Sequence, residues 1–453
     1  MRIHLIAVGG SVMHNMALAL QDVGHHVSGS DDEIYDPARS RLEAKDLLPD
    51  QMGWDVDRID RSLDAIILGM HARLDNPELQ KAQDLGIPIY SFPQYVFEQA
   101  KDKTRVVIAG SHGKTSTTAM VCHVLRKQGM AFDYLVGAQL EGFTNMVQFS
   151  DAPIIIIEGD EYLSSPLDRH PKIHYYQPHI SVITGIAWDH INVFPTFDTY
   201  LDQFRIYLQK METGAKVIYN EEDEYLPRLI QSAPTDLQLS GFTTPTSTIK
   251  GNLLYLLTGD GEHAIQVFGA HNFRNIAAAK QVCAALGITS ADFWTAIQSF
   301  KGASKRMELL AQEQRSFIYL DFAHAPSKVD AAVDAVRYRF PDHQLIACLE
   351  LHTFSSLNKQ FLADYAGSMD LADEAFVYYS PHTLKMKRME AIEPEELQAA
   401  FQRSDLRVYL DQVSLQAAVE SLPSEKVVYL FMTSGKFGGW DLRTWAPDFL
   451  KKS

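Results

Sequence analysis

The residues with chemistry to offer gather first between Thr104 and Thr118, in the run TRVVIAGSHGKTSTT. Val106–Ala109 is a short apolar, β-rich stretch that reads as a buried strand. Gly110, Ser111, His112, Gly113, Lys114 and Thr115 follow, and from Ala119 to Leu125 the apolar spacing becomes that of a helix. A strand, a glycine turn and a helix start point backbone N–H groups at an anion. Lys114 adds a positive charge for β- and γ-phosphates, and Thr115 a hydroxyl for Mg²⁺. The long form of such a loop needs glycine at position 108, where isoleucine stands, so this is a shortened G-x-x-G-K-T. Its chemistry is that of a nucleoside triphosphate.

Other candidates lie where further strands would end. Ile154–Ile157 is an apolar run bounded by Pro153 and closed by Glu158-Gly159-Asp160-Glu161. Carboxylates at the end of a parallel strand are placed to hold Mg²⁺, because such strands deliver their carboxyl ends to one crevice. The bland alternative is a solvated acidic loop. Ser181–Thr184 reads as a third strand aimed at the same edge, and Asp189-His190 follows it. His190 is therefore a candidate for metal or phosphate rather than only a structural histidine. Asn275 opens an alanine-rich helix, where it either caps the first turn or reads a purine edge. A second glycine loop, Ser434-Gly435-Lys436-Phe437-Gly438-Gly439, directly follows the last strand-like run, Val427–Met432.

The elements that must position these groups alternate between strand and helix along the chain. Arg2–Val8 reads as a strand, Gly9-Gly10 as a turn and Met13–Val23 as a helix, with a second strand from His26 ending at Ser30-Asp31. Asp31 lies where an acid would meet a ribose, but the glycines are too few for G-x-G-x-x-G, which argues against an NAD site. Further strands are expected at Ala65–Leu68 and Ile87–Tyr90, with the helix-like Pro77–Leu85 between them. Asp75-Asn76-Pro77 reads as the turn that starts this helix. The polar Lys101–Thr104 marks one domain boundary and Phe300–Met307 another. Beyond it, strands at Phe317–Leu320, Gln344–Leu349, Ala375–Tyr379, Arg407–Leu410 and Val427–Met432 make a third α/β domain.

At 453 residues the chain has length for about three domains. Its formal charge of −16 argues against nucleic acid or an anionic membrane as the main partner. Cys122, Cys283 and Cys348 stand far apart, which fits a reducing cytoplasm and gives neither a disulfide framework nor a metal cluster. The first residues run straight into a strand without a signal-peptide pattern, so a cytoplasmic location is expected.

Taken in order, GSHGKTSTT, EGDEY (158–162), WDH (188–190), GAHNFRN (269–275), the Lys305-Arg306 step and DFAHAP (321–326) resemble the Mur ligases of peptidoglycan synthesis. The resemblance implies an α/β protein of three domains. These would be a Rossmann-like UDP-sugar domain over 1–102, a central P-loop ATPase domain over 103–303 and a Rossmann-like acceptor domain over 304–453. It implies ATP-driven amide formation through an acyl phosphate, with Mg²⁺ held by Thr115, Glu158 and His190. Gly110–Ser116, His271, Asn275, Arg306 and Asp321 would bind the nucleotide, with Lys114, Glu158, His190 and Arg306 as the catalytic set. Gly10, Ser11, Ser30, Asp31, His71 and Arg73 would hold the UDP-sugar, and His324, His352, Gly435 and Phe437 the amine acceptor.

Within the family, Lys172–Tyr176 and MTSGKFGG (432–439) resemble the branch that joins UDP-N-acetylmuramate to L-alanyl-γ-D-glutamyl-meso-diaminopimelate. The branch that takes L-alanine is the alternative. Departures from the pattern are Leu163–Pro166 after EGDEY, Ala325 in DFAHAP, and Leu351–Ser356. A monomer or weak homodimer is expected. Two other classes are weighed: a nucleotide-binding regulator without ligation, and an oxidoreductase on the N-terminal fold.

Overall fold

The computed structural model describes residues 1–165, 167–188, 193–251, 253–422 and 425–452. They form two compact units, one of Met1–Thr244 with Arg274–Ile297 and one of Pro245–Phe273 with Gln298–Ser453.

The first unit holds two sheets. Strands β1 (Arg2–Ile6), β2 (His26–Ser30), β3 (Ala65–Leu68) and β4 (Ile89–Ser91) pair in parallel in the order β2-β1-β3-β4. Helices α1 (Ser11–Asp22), α2 (Ala38–Glu43), α3 (Pro77–Leu85) and α4 (Phe92–Ala100) accompany them. Asn76 does start α3: its side chain accepts the Leu79 N–H at 3.0 Å, and Pro77 stands at the first helical position, where a missing N–H costs nothing.

The second sheet runs β11-β10-β9-β5-β8-β6-β7. Its strands are β5 (Thr104–Ala109), β6 (Asp133–Leu135), β7 (Val147–Gln148), β8 (Ile154–Glu158), β9 (Ile180–Ile183), β10 (Lys216–Asn220) and β11 (Gln238–Phe242). All pairs are parallel except β6 with β7. β5 is central, with β8 on one side and β9 on the other, and its inner residues are fully buried. Continuous apolar runs such as Ile154–Ile157 are what a sheet covered on both faces requires. Helix α5 (Lys114–Lys127) begins directly at the lysine of the glycine turn.

One hydrophobic core is continuous from the first sheet to the second, from Ile3 and Leu5 to Val217 and Leu237. A polar pin accompanies it. Arg41 donates to Asn15 Oδ1 (2.9 Å), to the Thr144 carbonyl (3.0 Å) and to Asn145 Oδ1 (2.6 Å), while Asn15 Oδ1 also accepts the Met146 N–H at 3.0 Å.

The second unit contains an antiparallel sheet of β12 (Thr246–Lys250), β13 (Leu253–Thr258) and β14 (Gly261–Ile265). It also contains a six-stranded sheet in the order β15-β16-β20-β17-β18-β19. Those strands are β15 (Glu308–Glu313), β16 (Ser316–Asp321), β17 (Gln344–Glu350), β18 (Glu374–Tyr378), β19 (Arg407–Tyr409) and β20 (Val427–Met432). Only β15 is antiparallel in it. The sequence signals no strand at β6, β7 or any of β10–β15, whereas β3 and β20 have the expected bounds. No described helix is long and apolar enough to cross a membrane.

β5 itself carries a buried cation near its start. Arg105 is 2% exposed; its Nε donates to the carbonyls of Tyr176 and Gln177 (both 2.9 Å) and its Nη1 to those of Lys101 (2.8 Å) and Ala100 (3.3 Å), with Glu212 as counter-ion. It thereby fastens the end of α4 to the central sheet. Replacing it leaves buried carbonyls without donors, each worth about 1–3 kcal/mol. Arg105→Met should therefore lower the melting temperature of the transition that unfolds this unit, by at least about 5 °C. Differential scanning calorimetry checks this, and an unchanged transition would contradict it.

Candidate functional site

The glycine turn at the end of β5 is closed from two sides. Gly110 has φ 120° and Gly113 φ 78°, a region that side chains other than hydrogen seldom enter. A Cβ at Gly110 would strike Thr184 just beyond β9, and one at Gly113 would strike the Asn275 carboxamide. Both positions need glycine on grounds of space as well as conformation. Ser111 is buried; its N–H donates to the Gly185 carbonyl (2.9 Å), and its hydroxyl meets Tyr200 (2.6 Å) and the Ala187 N–H (2.9 Å). The His112 carbonyl accepts the Thr184 hydroxyl, and Ser116 is buried in the first turn of α5.

Lys114 folds over this turn, with Nζ 2.6 Å from the Gly110 carbonyl and 2.8 Å from Glu161 Oε2. Burial alone would lower its pKa, but Glu161, Asp160 and Glu158 outweigh that and hold the ammonium above its usual range. Thr115 donates to Glu158 Oε1 at 2.6 Å, and the Gly137 N–H holds Glu158 Oε2 at 2.6 Å. Burial, then the neighbouring Asp160, push the Glu158 carboxyl upward in spite of these hydrogen bonds.

A hydroxyl and a buried, destabilised carboxylate side by side suit Mg²⁺. That ion takes one or two protein ligands and completes its shell with water and phosphate oxygens. His190 lies outside the described residues. Glu161, grouped by the sequence with the carboxylates at the end of its strand, is 2% exposed and instead joins the lysine to Tyr200, whose hydroxyl donates to its Oε1 at 3.2 Å. Its position inside the acidic motif was the only available signal.

At the N-terminal sheet, Gly10 is the residue before α1 and Ser11 is exposed, with its hydroxyl 3.9 Å from Met146 Sδ. Asp31 accepts the Gly9 N–H (2.7 Å) and the Asp32 N–H (2.9 Å); burial raises its carboxyl above the ordinary value against those bonds. His71 is exposed and close enough to oppose that rise. Arg73 forms a two-pronged surface pair with Asp75, both contacts at 2.9 Å. Ser30 is fully buried and its hydroxyl is donated to Glu78, so its side chain faces inward.

In the second unit, Arg306 lies over the Phe322 ring, 4.5 Å from its centroid. Asp321 ends β16 and accepts the N–H groups of Met307 (2.6 Å) and Ala323 (2.7 Å). His324 Nδ1 is 2.7 Å from the Phe322 carbonyl, and His271 Nε2 is 3.2 Å from Asn272 Nδ2. Lys305 and Met307 both have left-handed backbones, φ 54° and 48°. Such strain persists where surroundings enforce it. Here Glu308 holds the Lys305 N–H at 2.7 Å, and Arg443 grips Glu308 in turn.

Lys305 lines a cavity of about 390 Å³ with Lys436, Glu350, His352, Tyr378 and Gly435 among its other walls. Burial, followed by the nearby Arg443 and Lys436, lowers the Lys305 ammonium. Glu350 is 3% exposed, and its Oε2 accepts the Thr433 hydroxyl and the Phe437 N–H (2.9 Å). Of the acceptor candidates, His352 and Gly435 line the cavity. Phe437 contributes that N–H while its ring is buried against Phe431, and His324 is not among the lining residues. Lys305, Lys436 and Glu350 are cavity groups to which the sequence assigned no acceptor role. The arrangement can take a ligand that carries both carboxylate and ammonium.

Three family descriptions match in succession: "Mur ligase family, catalytic domain" over residues 2–104, "Mur ligase middle domain" over 108–283 and "Mur ligase, glutamate ligase domain" over 305–435. The chain is 28% identical to the UDP-N-acetylmuramate–L-alanyl-γ-D-glutamyl-meso-2,6-diaminoheptandioate ligase of Escherichia coli, over 97% of this chain and 96% of that protein. It is 29% identical to the UDP-N-acetylmuramate–L-alanine ligase of Streptococcus equi subsp. equi, over 95% and 94%. Among solved structures, the UDP-N-acetylmuramate-alanine ligase MurC of Thermotoga maritima superposes with a TM-score of 0.76 at 21% identity and full coverage of both chains. A glycine turn flanked by carboxylates, three successive matching domains and a shared fold lead to one conclusion: the chain belongs to the Mur ligase family of ATP-dependent, amide-forming ligases.

Proposed function

We propose that this chain joins the carboxylate of UDP-N-acetylmuramate to the amine of a peptide of the L-alanyl-γ-D-glutamyl-meso-diaminopimelate type, in peptidoglycan recycling. ATP and Mg²⁺ drive the reaction. The observation that carries this reading is the buried array of Lys114, Thr115, Glu158 and Glu161 at the end of β5 and β8. In the proposed division, residues 1–102 hold the UDP-sugar, 103–303 the ATP, and 304–453 the acceptor. The protein would act in the cytoplasm as a monomer or weak homodimer.

In this mechanism a muramate carboxylate oxygen attacks the γ-phosphorus and ADP leaves. The acceptor nitrogen then attacks the acyl carbon, and phosphate departs. Two anions must approach each other, so the protein's contribution is charge neutralisation and alignment rather than covalent chemistry. Lys114 exchanges its contact with the Gly110 carbonyl for phosphate oxygens. Thr115 and Glu158 would hold Mg²⁺, which when bound would neutralise charge on the phosphates, and the resemblance gives His190 a second metal. Asn275, beside Gly113, is suited to the base end of the nucleotide, and Arg306 and Asp321 to its remaining contacts.

The acceptor is the finer part of the reading. A cavity of about 390 Å³ is in the range that encloses a drug-sized ligand, and a single alanine would leave most of it empty. The lysines Lys305 and Lys436 suit a peptide with several carboxylates, and Glu350 suits its ammonium. The 29% identity to an L-alanine ligase favours the second reading, in which L-alanine is the acceptor.

Two outcomes are expected. Lys114→Ala should retain the fold but lose about 10²–10³ or more in turnover, as removal of a transition-state charge contact commonly does; coupled phosphate-release kinetics would show it, and near wild-type turnover would sink the phosphate-loop assignment. With UDP-N-acetylmuramate and ATP saturating, kcat/KM should be higher for the tripeptide than for L-alanine. The opposite order establishes the second reading.

A further inference from the structure

Beneath the carboxyl end of the N-terminal sheet lies a set of ionisable groups that the mechanism above does not use. His4 on β1 and Glu78 in the first turn of α3 are both 0% exposed, as is Ser30 at the end of β2. His4 Nδ1 is 2.8 Å from the Ser28 hydroxyl, and its Nε2 lies 3.3 Å from Ser30 Oγ and 3.4 Å from Glu78 Oε2. Ser30 donates its hydroxyl to the same Glu78 oxygen. Glu78 Oε1 accepts the Asp55 N–H at 2.8 Å.

Serine, histidine and glutamate together suggest a hydrolytic triad, but the connectivity is wrong for one. The serine proton is directed at the carboxylate rather than at the imidazole, and no member reaches solvent. A nucleophile here could meet no substrate.

The cluster instead holds both sides of one bridge. Asp31 pairs with Gly53, whose N–H donates to the Asp31 carbonyl at 2.8 Å. Glu78 grips the residue immediately before Asp31 through the Ser30 hydroxyl. It also grips the segment of Gly53, two residues on, through the Asp55 N–H. Ser30 further accepts the Val8 N–H at 3.0 Å, and Asp31 accepts that of Gly9 at 2.7 Å. The turn after β1 is thus tied, through Ser30 and Asp31, to a carboxylate on another element. Ala7, which enters that turn, has φ 64°, a strained conformation for alanine.

Glu78 also gains from the N-terminus of α3, where helical N–H groups favour a negative charge. Burial pushes its carboxyl up, yet the hydrogen bonds of His4, Ser30 and Asp55 outweigh it and leave it below the usual carboxylate value. An ionised, fully buried carboxylate needs several donors to be tolerated, and the donors it has recruited belong to the segments around Asp31.

We propose that Glu78, with His4 and Ser30, is a positioning cluster that fixes the Gly9–Asp31 turn and thereby sets the affinity for the uridine nucleotide. This rests on the reading of the N-terminal sheet as the UDP-sugar site. Glu78 does not touch the ligand. It acts through Ser30 and Asp31, and its loss should be felt in binding of one substrate alone.

The test uses the full-length chain with Glu78→Gln, which keeps the shape but not the charge, and Ser30→Ala, which removes the donor. For both, KM for UDP-N-acetylmuramate should rise about tenfold while kcat and KM for ATP stay within about twofold, the pattern of lost uniform binding. Titration calorimetry with UDP-N-acetylmuramate alone should show the same loss of affinity. If either variant instead loses ATP affinity and kcat in parallel with its melting temperature, the cluster is only structural and the proposal is overturned. Unchanged constants in both variants overturn it as well. Failure of the wild-type chain to bind UDP-N-acetylmuramate would overturn the underlying reading of the site, and the proposal with it.

Discussion

Two buried carboxylates, Glu158 and Glu161, lie beside one half-buried ammonium, Lys114, at the mouth of β5. Asp160 adds a further negative charge, partly matched by Lys172 at 3.1 Å. Buried charge is tolerated only where it is paired and hydrogen-bonded. The lysine is accordingly locked between Gly110 and Glu161, and Glu158 between Thr115 and Gly137. In the proposed mechanism the remaining negative excess would be met by a divalent cation, and the lysine by the phosphates that accompany it. The central sheet serves this arrangement, since β8 delivers the carboxylates on one flank of the turn and β9 delivers Thr184 on the other.

The same logic recurs in a milder form elsewhere. In the N-terminal sheet a buried carboxylate, Glu78, is satisfied by groups that border the glycine turn after β1. In the second unit Glu350 is satisfied by Thr433 and by the N–H of Phe437 in the glycine loop after β20. In each of the three sheets that contain parallel strands, then, a buried carboxylate is bonded to loop groups at or near the carboxyl ends of those strands, where ligands of open α/β sheets bind.

The strand, glycine turn and helix of β5 and α5 were legible because they are contiguous, and each local signal agrees with the next. β3 and β20 were legible as unbroken apolar runs. β12–β14 were not, because their burial is partial and their polar residues blur the alternation. β15, with sequence ELLAQE, carries little β-branched character, and it forms by pairing with β16. Of the candidate residues, Lys114 and Thr115 stand out by their place in the glycine turn and Glu158 by its place at a strand end, and the structure brings the three together. The pairing of Lys114 with Glu161 spans 47 residues, and that of His4 with Glu78 spans 74. Such contacts have no local signature, so they emerge only once the sheets are assembled. Ser30 shows the converse: its place in the chain suggested a ligand contact, while its hydroxyl is turned inward to Glu78.

The central claim is that the array around Lys114 activates a carboxylate by phosphorylation. It is tested most directly with UDP-N-acetylmuramate labelled with ¹⁸O in its lactyl carboxylate, incubated with ATP, Mg²⁺ and the acceptor. The account predicts ADP and inorganic phosphate as products, with one ¹⁸O atom carried into each phosphate released, as read by mass spectrometry or by the ³¹P isotope shift. Unlabelled phosphate, or release of AMP and pyrophosphate, would contradict it.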